Sequence, residues 1–148
     1  MKRKESLINS FREKGLKITP QRLAIFKILE NNSSHPSADE IYCKLKKNYP
    51  TISLATVYKT LEVLEMMGEV KLLKSEHGGV RFDPDCSSHH HFICKICNKI
   101  FDIKEDYSYI LKSAKRVKDL FKIEDFRVEF FGTCKDCQIK RKKKSKIV

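Results

Sequence analysis

No stretch of the 148 residues comes near the ~20 consecutive apolar side chains that a membrane-crossing helix needs. The opening "MKRKESLINSFREKG" is likewise charged and polar where a secretion signal would carry an apolar run. A soluble, cytoplasmic protein with no membrane partner is the expectation. It bears on the six cysteines, because disulfides belong to oxidising compartments, and the same count inside a cell points to metal or redox chemistry. The chain is too short for two large cores; it can form one ordinary domain, or two small lobes that each need help to stay folded. Histidine is scarce, with five residues in all, yet three of them are consecutive in "SSHHHFICKIC" (87–97).

Positive charge, by contrast, is plentiful. Lys and Arg number 31 against 19 Asp and Glu, a net charge of +12. Clustered basic groups are rewarded by counterion release from a polyanion, so a nucleic-acid partner is implied. The run "KRKKKSK" (140–146) holds six of those charges, and the rest of the chain is still near +6. The run itself is expected to be a solvated, disordered end.

Along the first 82 residues the pattern is short helices and then a hairpin. Thr19 before Pro20 marks a helix start, and Leu23, Ile25, Phe26, Ile28 and Leu29 follow at helical spacing. Ser37 and Glu40 form a capping box ahead of "ADEIYCKLKKNY". Ser53 can cap a third helix with the apolar stripe Leu54, Val57, Leu61 and Leu64, ended by Gly68. "EVKLLKSEHGGVRFD" then reads as two strands around a turn at His77, Gly78 and Gly79. Three helices and a two-stranded ribbon in this order describe a winged helix-turn-helix, whose last helix enters the major groove of double-stranded DNA. Ser53, Ala55, Thr56, Tyr58 and Lys59 lie off the apolar stripe and are the candidate DNA contacts.

The pattern breaks at "FDPDCSS", so a hinge is expected over residues 83–88, between a DNA-binding domain (1–82) and a second domain (89–148). There "HHHFIC" and "KIFDI" read as strands joined by a Cys94–Cys97 turn, residues 106–121 as one amphipathic helix, and "FRVEFFG" as a strand running into "TCKDC". The fold class is α+β, with a winged helix followed by a small α/β domain that needs a dimer interface and a metal to supplement its core.

Cys94, Cys97, Cys134 and Cys137 make two Cys-x-x-Cys pairs, the pattern of a four-cysteine structural zinc. A redox dithiol is the rival, and it leaves one pair without a role. Cys43 and Cys86 stand alone. In a strand His89 and His91 share a face while His90 points away. Two histidines make half a metal site; His35, Asp83 and Asp102 are the candidates to complete it, and five N and O ligands suit Fe(II) or Mn(II). The same residues around zinc would be the core of a hydrolase, but no Glu stands beside them as a base. His77 reads as plain surface.

"GLKITPQRLAIFKIL", "HPSADEIY", "SLATVYKTLEVLEMMGEV", "RFD", "HHHFICKIC" and "FGTCKDC" together resemble the ferric uptake regulator (Fur) family of metal-dependent bacterial repressors, from about residue 10 to residue 137. The resemblance implies a homodimer that binds a DNA operator, and the dimer's two-fold symmetry leads to the expectation that this operator is palindromic. It also implies one structural zinc per subunit and a regulatory metal on His35, Asp83, His89, His91 and Asp102. Within the family the chain is most similar to the peroxide-sensing branch, where the matching oxidation-sensitive positions are His35 and His89. The iron-sensing branch, whose members control metal uptake, typically carries Glu at the positions of Asp83 and Asp102. It also has an Asp where this chain has His90 and a His where it has Phe126. Lys59 differs from the residue usual in the best-known peroxide sensors.

Overall fold

The computed structural model describes residues 4–75 and 79–144. The chain divides into two compact units, Met1–Cys86 and Ser87–Val148. The first holds α1 (Lys4–Glu13), α2 (Pro20–Leu29), α3 (Ala38–Lys46), α4 (Leu54–Met66) and the antiparallel ribbon β1 (Lys71–Ser75) and β2 (Gly79–Asp83). This is the expected winged helix, with one helix more than the sequence suggested. Helix α1 lies in the polar opening segment, but its Leu7 and Phe11, one turn apart, are fully buried.

The helix starts are set by local chemistry. Thr19 and Ser53 accept the main-chain N–H groups of Arg22 and Thr56, each satisfying a donor that the first turn leaves without a helical partner. Ser37 and Glu40 cap reciprocally, Glu40 N–H to Ser37 Oγ at 3.1 Å and Ser37 N–H to Glu40 Oε2 at 3.0 Å. After α4, Gly68 takes φ +68° and donates to the Glu65 carbonyl, the left-handed turn that glycine tolerates best. Val57, Leu61 and Leu64 of the stripe are completely buried with Ile25, Leu29 and Ile41. Phe11 meets Phe26 edge to face at 5.0 Å. Each buried large apolar side chain of this core contributes roughly 1.5–3 kcal/mol toward holding the first unit together. The turn residues His77 and Gly78 lie outside the described residues.

The second unit holds β3 (His90–Cys94), β4 (Ile100–Ile103), α5 (Ser108–Ser113), α6 (Lys115–Leu120), β5 (Glu129–Gly132) and α7 (Lys135–Lys144). Its sheet has the order β4-β3-β5, antiparallel on one side of β3 and parallel on the other. Two expectations are corrected here. Residues 106–121 form two six-residue helices broken at Ala114 (ψ 50°), neither with a side-chain cap. Their apolar face has little to pack on in this chain, with Leu120 and Phe121 each 65 % exposed, and helices this short are weak without such packing. The basic run is also not disordered where it is described: α7 continues through Lys144. The unit's core is thin. Among the described residues its only buried aliphatic side chains are Ile93 and Ile100, and the remaining buried apolar residues are Cys94, Cys134 and Cys137.

Candidate metal and DNA sites

The four paired cysteines converge, with their sulfurs all within 4.8 Å of one another. Two tight turns bring them there. Cys94 ends β3, and Asn98 at φ 55° returns the chain so that its N–H donates to the Cys94 carbonyl at 2.9 Å. Cys134 and Cys137 stand one turn apart at the start of α7, where the Gln138 N–H donates to the Cys134 carbonyl. Gly132 lets the two turns close: a Cβ there would stand 3.2 Å from the Phe92 ring, and the Gly132 carbonyl accepts the Lys95 N–H at 2.8 Å. Cys97 and Cys134 sulfurs are 3.8 Å apart, and a tetrahedron of sulfurs bonded at ~2.3 Å to zinc has edges of about 3.8 Å.

Electrostatics in this cluster favour a cation. Burial pushes the Cys94 thiol up, but N–H donors from Cys134, Cys97 and Ile96 outweigh it and bring it down to about 6. Burial and then its sulfur neighbours push Cys137 up to about 12, and Cys97 is raised as well, burial first. Ionisation of Cys94 is therefore favoured, while burial first and then the neighbouring sulfurs oppose ionisation of Cys137, and burial that of Cys97. A bound divalent ion removes that conflict and suits four soft donors.

The N and O candidates are held in two groups, a pair in the first unit and a trio in the second. In the first unit His35 Nε2 lies 3.7 Å from Asp83 Oδ1, and both residues are 1 % exposed. Two links between the α3 start and β2, and a cap within α3, create this pair. The Phe82 N–H donates to the Pro36 carbonyl at 3.0 Å, Arg81 donates to Glu40 at 2.7 Å, and the capping box fixes Glu40 itself. Burial raises the Glu40 carboxyl, yet Arg81 and the Ser37 N–H outweigh it and hold it below 4.5. His35 adopts φ 48°, a conformation uncommon outside glycine and a mark of imposed geometry.

In the second unit the rings of His89 and His91 lie edge to face at 4.5 Å. Asp102 Oδ1 is 3.4 Å from His89 Nε2 and 3.9 Å from His91 Nε2, because β3 and β4 pair His91 directly with Asp102. His89 Nδ1 is 3.1 Å from the Ser87 carbonyl. A carbonyl only accepts, so Nδ1 carries the proton and Nε2 of the neutral ring presents its lone pair, the arrangement found for metal-binding histidines. His90 faces elsewhere, against Tyr107 and Phe126.

On α4, Ser53, Ala55, Tyr58 and Lys59 are exposed and Thr56 is half-buried, its hydroxyl 2.9 Å from that of Ser53. Ala55, Tyr58 and Lys59 are thus the accessible candidates within the helix, with Ser53 exposed at its N-cap. Cys86 is half-buried and Cys43 exposed; neither joins a cluster of candidate ligands among the described residues. Sequence reasoning did not anticipate the Arg81–Glu40 link or the Ser87 carbonyl beside His89. Of this supporting network, the Ser37-x-x-Glu40 box was visible in advance.

The profile of the ferric uptake regulator family matches residues 13–131. The chain belongs to this family. It is 42 % identical to the peroxide-responsive repressor PerR of Staphylococcus saprophyticus over 92 % of both chains. Its fold is similar to the Helicobacter pylori ferric uptake regulator Fur, described with three functional metal-binding sites, with TM-score 0.78, 28 % identity and 90 % of each chain covered. It is also similar to PerR from Streptococcus pyogenes, described as a peroxide sensor, with TM-score 0.52, 36 % identity, and 90 % of this chain and 92 % of that one covered. Membership in the Fur family makes the chain a DNA-binding, dimeric transcriptional regulator and not an enzyme. The hydrolase and thiol-oxidoreductase readings fall with that result.

Proposed function

We propose that this Fur-family regulator is a metal-dependent repressor that responds to peroxide and controls oxidative-stress genes from a palindromic operator in the cytoplasm. The observation that carries the reading is the all-Asp, all-His donor set on two separate units, combined with its likeness to PerR proteins. His35 and Asp83 belong to the DNA-binding unit, and His89, His91 and Asp102 to the other. In our reading all five hold one Fe(II) or Mn(II). The pair spacings of 3.4–3.9 Å suit the reading, because two ligands about 2.1 Å from a shared ion stand about 3 to 4 Å apart. Ligands contributed by both units couple ion binding to the angle between them, and in a dimer that angle sets the spacing of two α4 helices. The four cysteines hold the structural zinc, one per subunit. The exposed apolar face of Tyr109, Val117, Leu120 and Phe121 supports the dimer.

Bound Fe(II) would lend the electrons that start the cleavage of hydrogen peroxide, which Mn(II) does not readily do, and the imidazole would be the group oxidised in net terms. One peroxide oxygen would be inserted into a ring C–H bond of His35 or His89, and the other would leave as water. The altered ring is a poorer ligand, so the two units are no longer tied and the operator is released.

Operator binding with Fe(II) or Mn(II), before and after dilute peroxide, tests this directly. Loss of binding with Fe(II) alone, with one oxygen on the His35 or His89 peptide, is the expected result. Likeness to the H. pylori Fur favours a second reading, an iron-responsive repressor of metal-uptake genes. Binding that follows Fe(II) and ignores peroxide would establish it instead.

A further inference from the structure

We infer that His90, the residue between the two strand histidines, is a positioning residue that holds the sheet closed at the metal pair through the main chain of Val128. Its functional half rests on the five-ligand reading above. Val128 is bonded on both of its polar main-chain groups. Its carbonyl accepts the His91 N–H at 3.1 Å, and its N–H donates to His90 Nδ1 at 3.1 Å.

The second bond is not part of an ordinary ladder. With His91 in parallel register with Glu129, the acceptor due to the Val128 N–H is the main-chain carbonyl of residue 89. But β3 begins only at His90. His89 has turned out of the strand, its ring anchored to the Ser87 carbonyl and aimed at Asp102. The His90 imidazole takes the place of the absent carbonyl, so the sheet stays closed while His89 leaves it.

Two consequences follow. An N–H can only donate, so His90 Nδ1 must be an unprotonated acceptor and is committed to Val128 rather than to an ion. The His91 main chain is also fixed on both sides, by Val128 on one edge and by its pairing with Asp102 on the other. The ring is 7 % exposed and packs at 5.1 Å from Tyr107 and 5.4 Å from Phe126, which restricts its rotation. A side chain of similar bulk without an acceptor would leave the Val128 N–H unmatched and loosen β3 against β5 at His91.

The test compares His90→Leu with His90→Asn in the zinc-loaded, full-length chain. Asn carries its acceptor at the same branch point as Nδ1. In the Leu variant the Val128 amide should exchange at least about tenfold faster and the Mn(II) dissociation constant should rise about tenfold, while the Asn variant keeps both within about threefold of the parent. Unchanged Val128 exchange in the Leu variant overturns the lock. Faster exchange with unchanged Mn(II) affinity overturns the positioning role, and an Asn variant that behaves like Leu overturns the acceptor argument. Should the Leu variant lose zinc, His90→Gln replaces it, since its acceptor sits one bond too far out. A His89→Ala control separates the two levels: if it binds Mn(II) like the parent, the five-ligand reading and the positioning role fail together, and the exchange data still judge the lock.

Discussion

Arg81 of β2 donates to the Glu40 carboxylate of α3 at 2.7 Å, and the same oxygen, Oε2, accepts the Ser37 N–H. One carboxylate thus caps a helix and ties it to the wing, beside His35 on one strand of chain and Asp83 on the other.

Glu40→Gln keeps the capping geometry but removes the charge. The ion pair is half-exposed, so its loss should cost about 0.5 kcal/mol at neutral pH. Because the folded carboxyl sits below its ordinary 4.5, this contribution is present above that pH and disappears as pH falls through the folded value. Denaturant melts of parent and variant should therefore differ at pH 7 and converge below 4.5. A gap that stays constant or widens on acidification contradicts the assignment.

Cys94→Ser or Cys134→Ser should release zinc and unfold the second unit together. With two buried aliphatic residues among those described, that unit has little else to hold it. Structural zinc contributes about 10–16 kcal/mol in small domains, more than most domains have in total. Zinc analysis, circular dichroism and sedimentation check this. A zinc-free, dimeric variant with a native spectrum would show that the cysteines are not the staple.

The first unit was legible because its signals are local. Thr19, Ser37 and Ser53 each accept the N–H that their spacing implies, and Val57, Leu61 and Leu64 of the α4 stripe are fully buried, with Leu54 packed partly against them. Helix α1 escaped notice because two apolar residues in a charged segment are a weak pattern. The convergence of the cysteine pairs was implied by their spacing, whereas strand alternation does not account for His89, which lies just before β3 and meets His91 ring to ring at 4.5 Å. What spacing could not show were links between distant segments, such as Arg81 to Glu40 and Val128 to His90, separated by 41 and 38 residues. No local propensity encodes them. The break at Ala114 was hidden for a related reason: an apolar stripe implies a helix only when something covers it.

Lys59→Ala and Tyr58→Ala should each weaken operator binding about tenfold while zinc and Mn(II) content stay unchanged. Both side chains stand on the exposed face of α4, with Tyr58 48 % accessible. Binding assays at fixed salt, with a scrambled duplex as control, check it. Equal loss on the scrambled duplex would reassign the residue to phosphate contact.

Replacing the Lys and Arg residues of 140–146 by Gln removes charge without removing helix propensity, which matters because α7 extends through Lys144. If the run meets DNA phosphates, affinity should fall alike for all sequences, and the salt slope should flatten by up to about 5 for six lost contacts. An unchanged slope would mean that these charges only face solvent.

Asp102→Glu should separate metal binding from peroxide response. Register places Asp102 opposite His91, and its Oδ1 reaches toward His89 at 3.4 Å and His91 at 3.9 Å. One added methylene lengthens the side chain by about 1.5 Å, so the carboxylate must swing away from one histidine to stay near the other. It remains a hard oxygen donor, and Mn(II)-dependent operator binding should persist. The filling of the coordination shell beside His89 would change, and with it the access of peroxide to that ring. Oxygen incorporation into the His89 peptide at fixed peroxide should fall about tenfold, on the scale of other changes to a ligand's surroundings. Peptide mass mapping of Fe(II)-loaded parent and variant decides it. Equal incorporation means that this carboxylate does not set the sensitivity. Oxygen on Cys94 or Cys97 with loss of zinc, and none on either histidine, would move the sensing to the thiols and leave the five ligands to report metal alone.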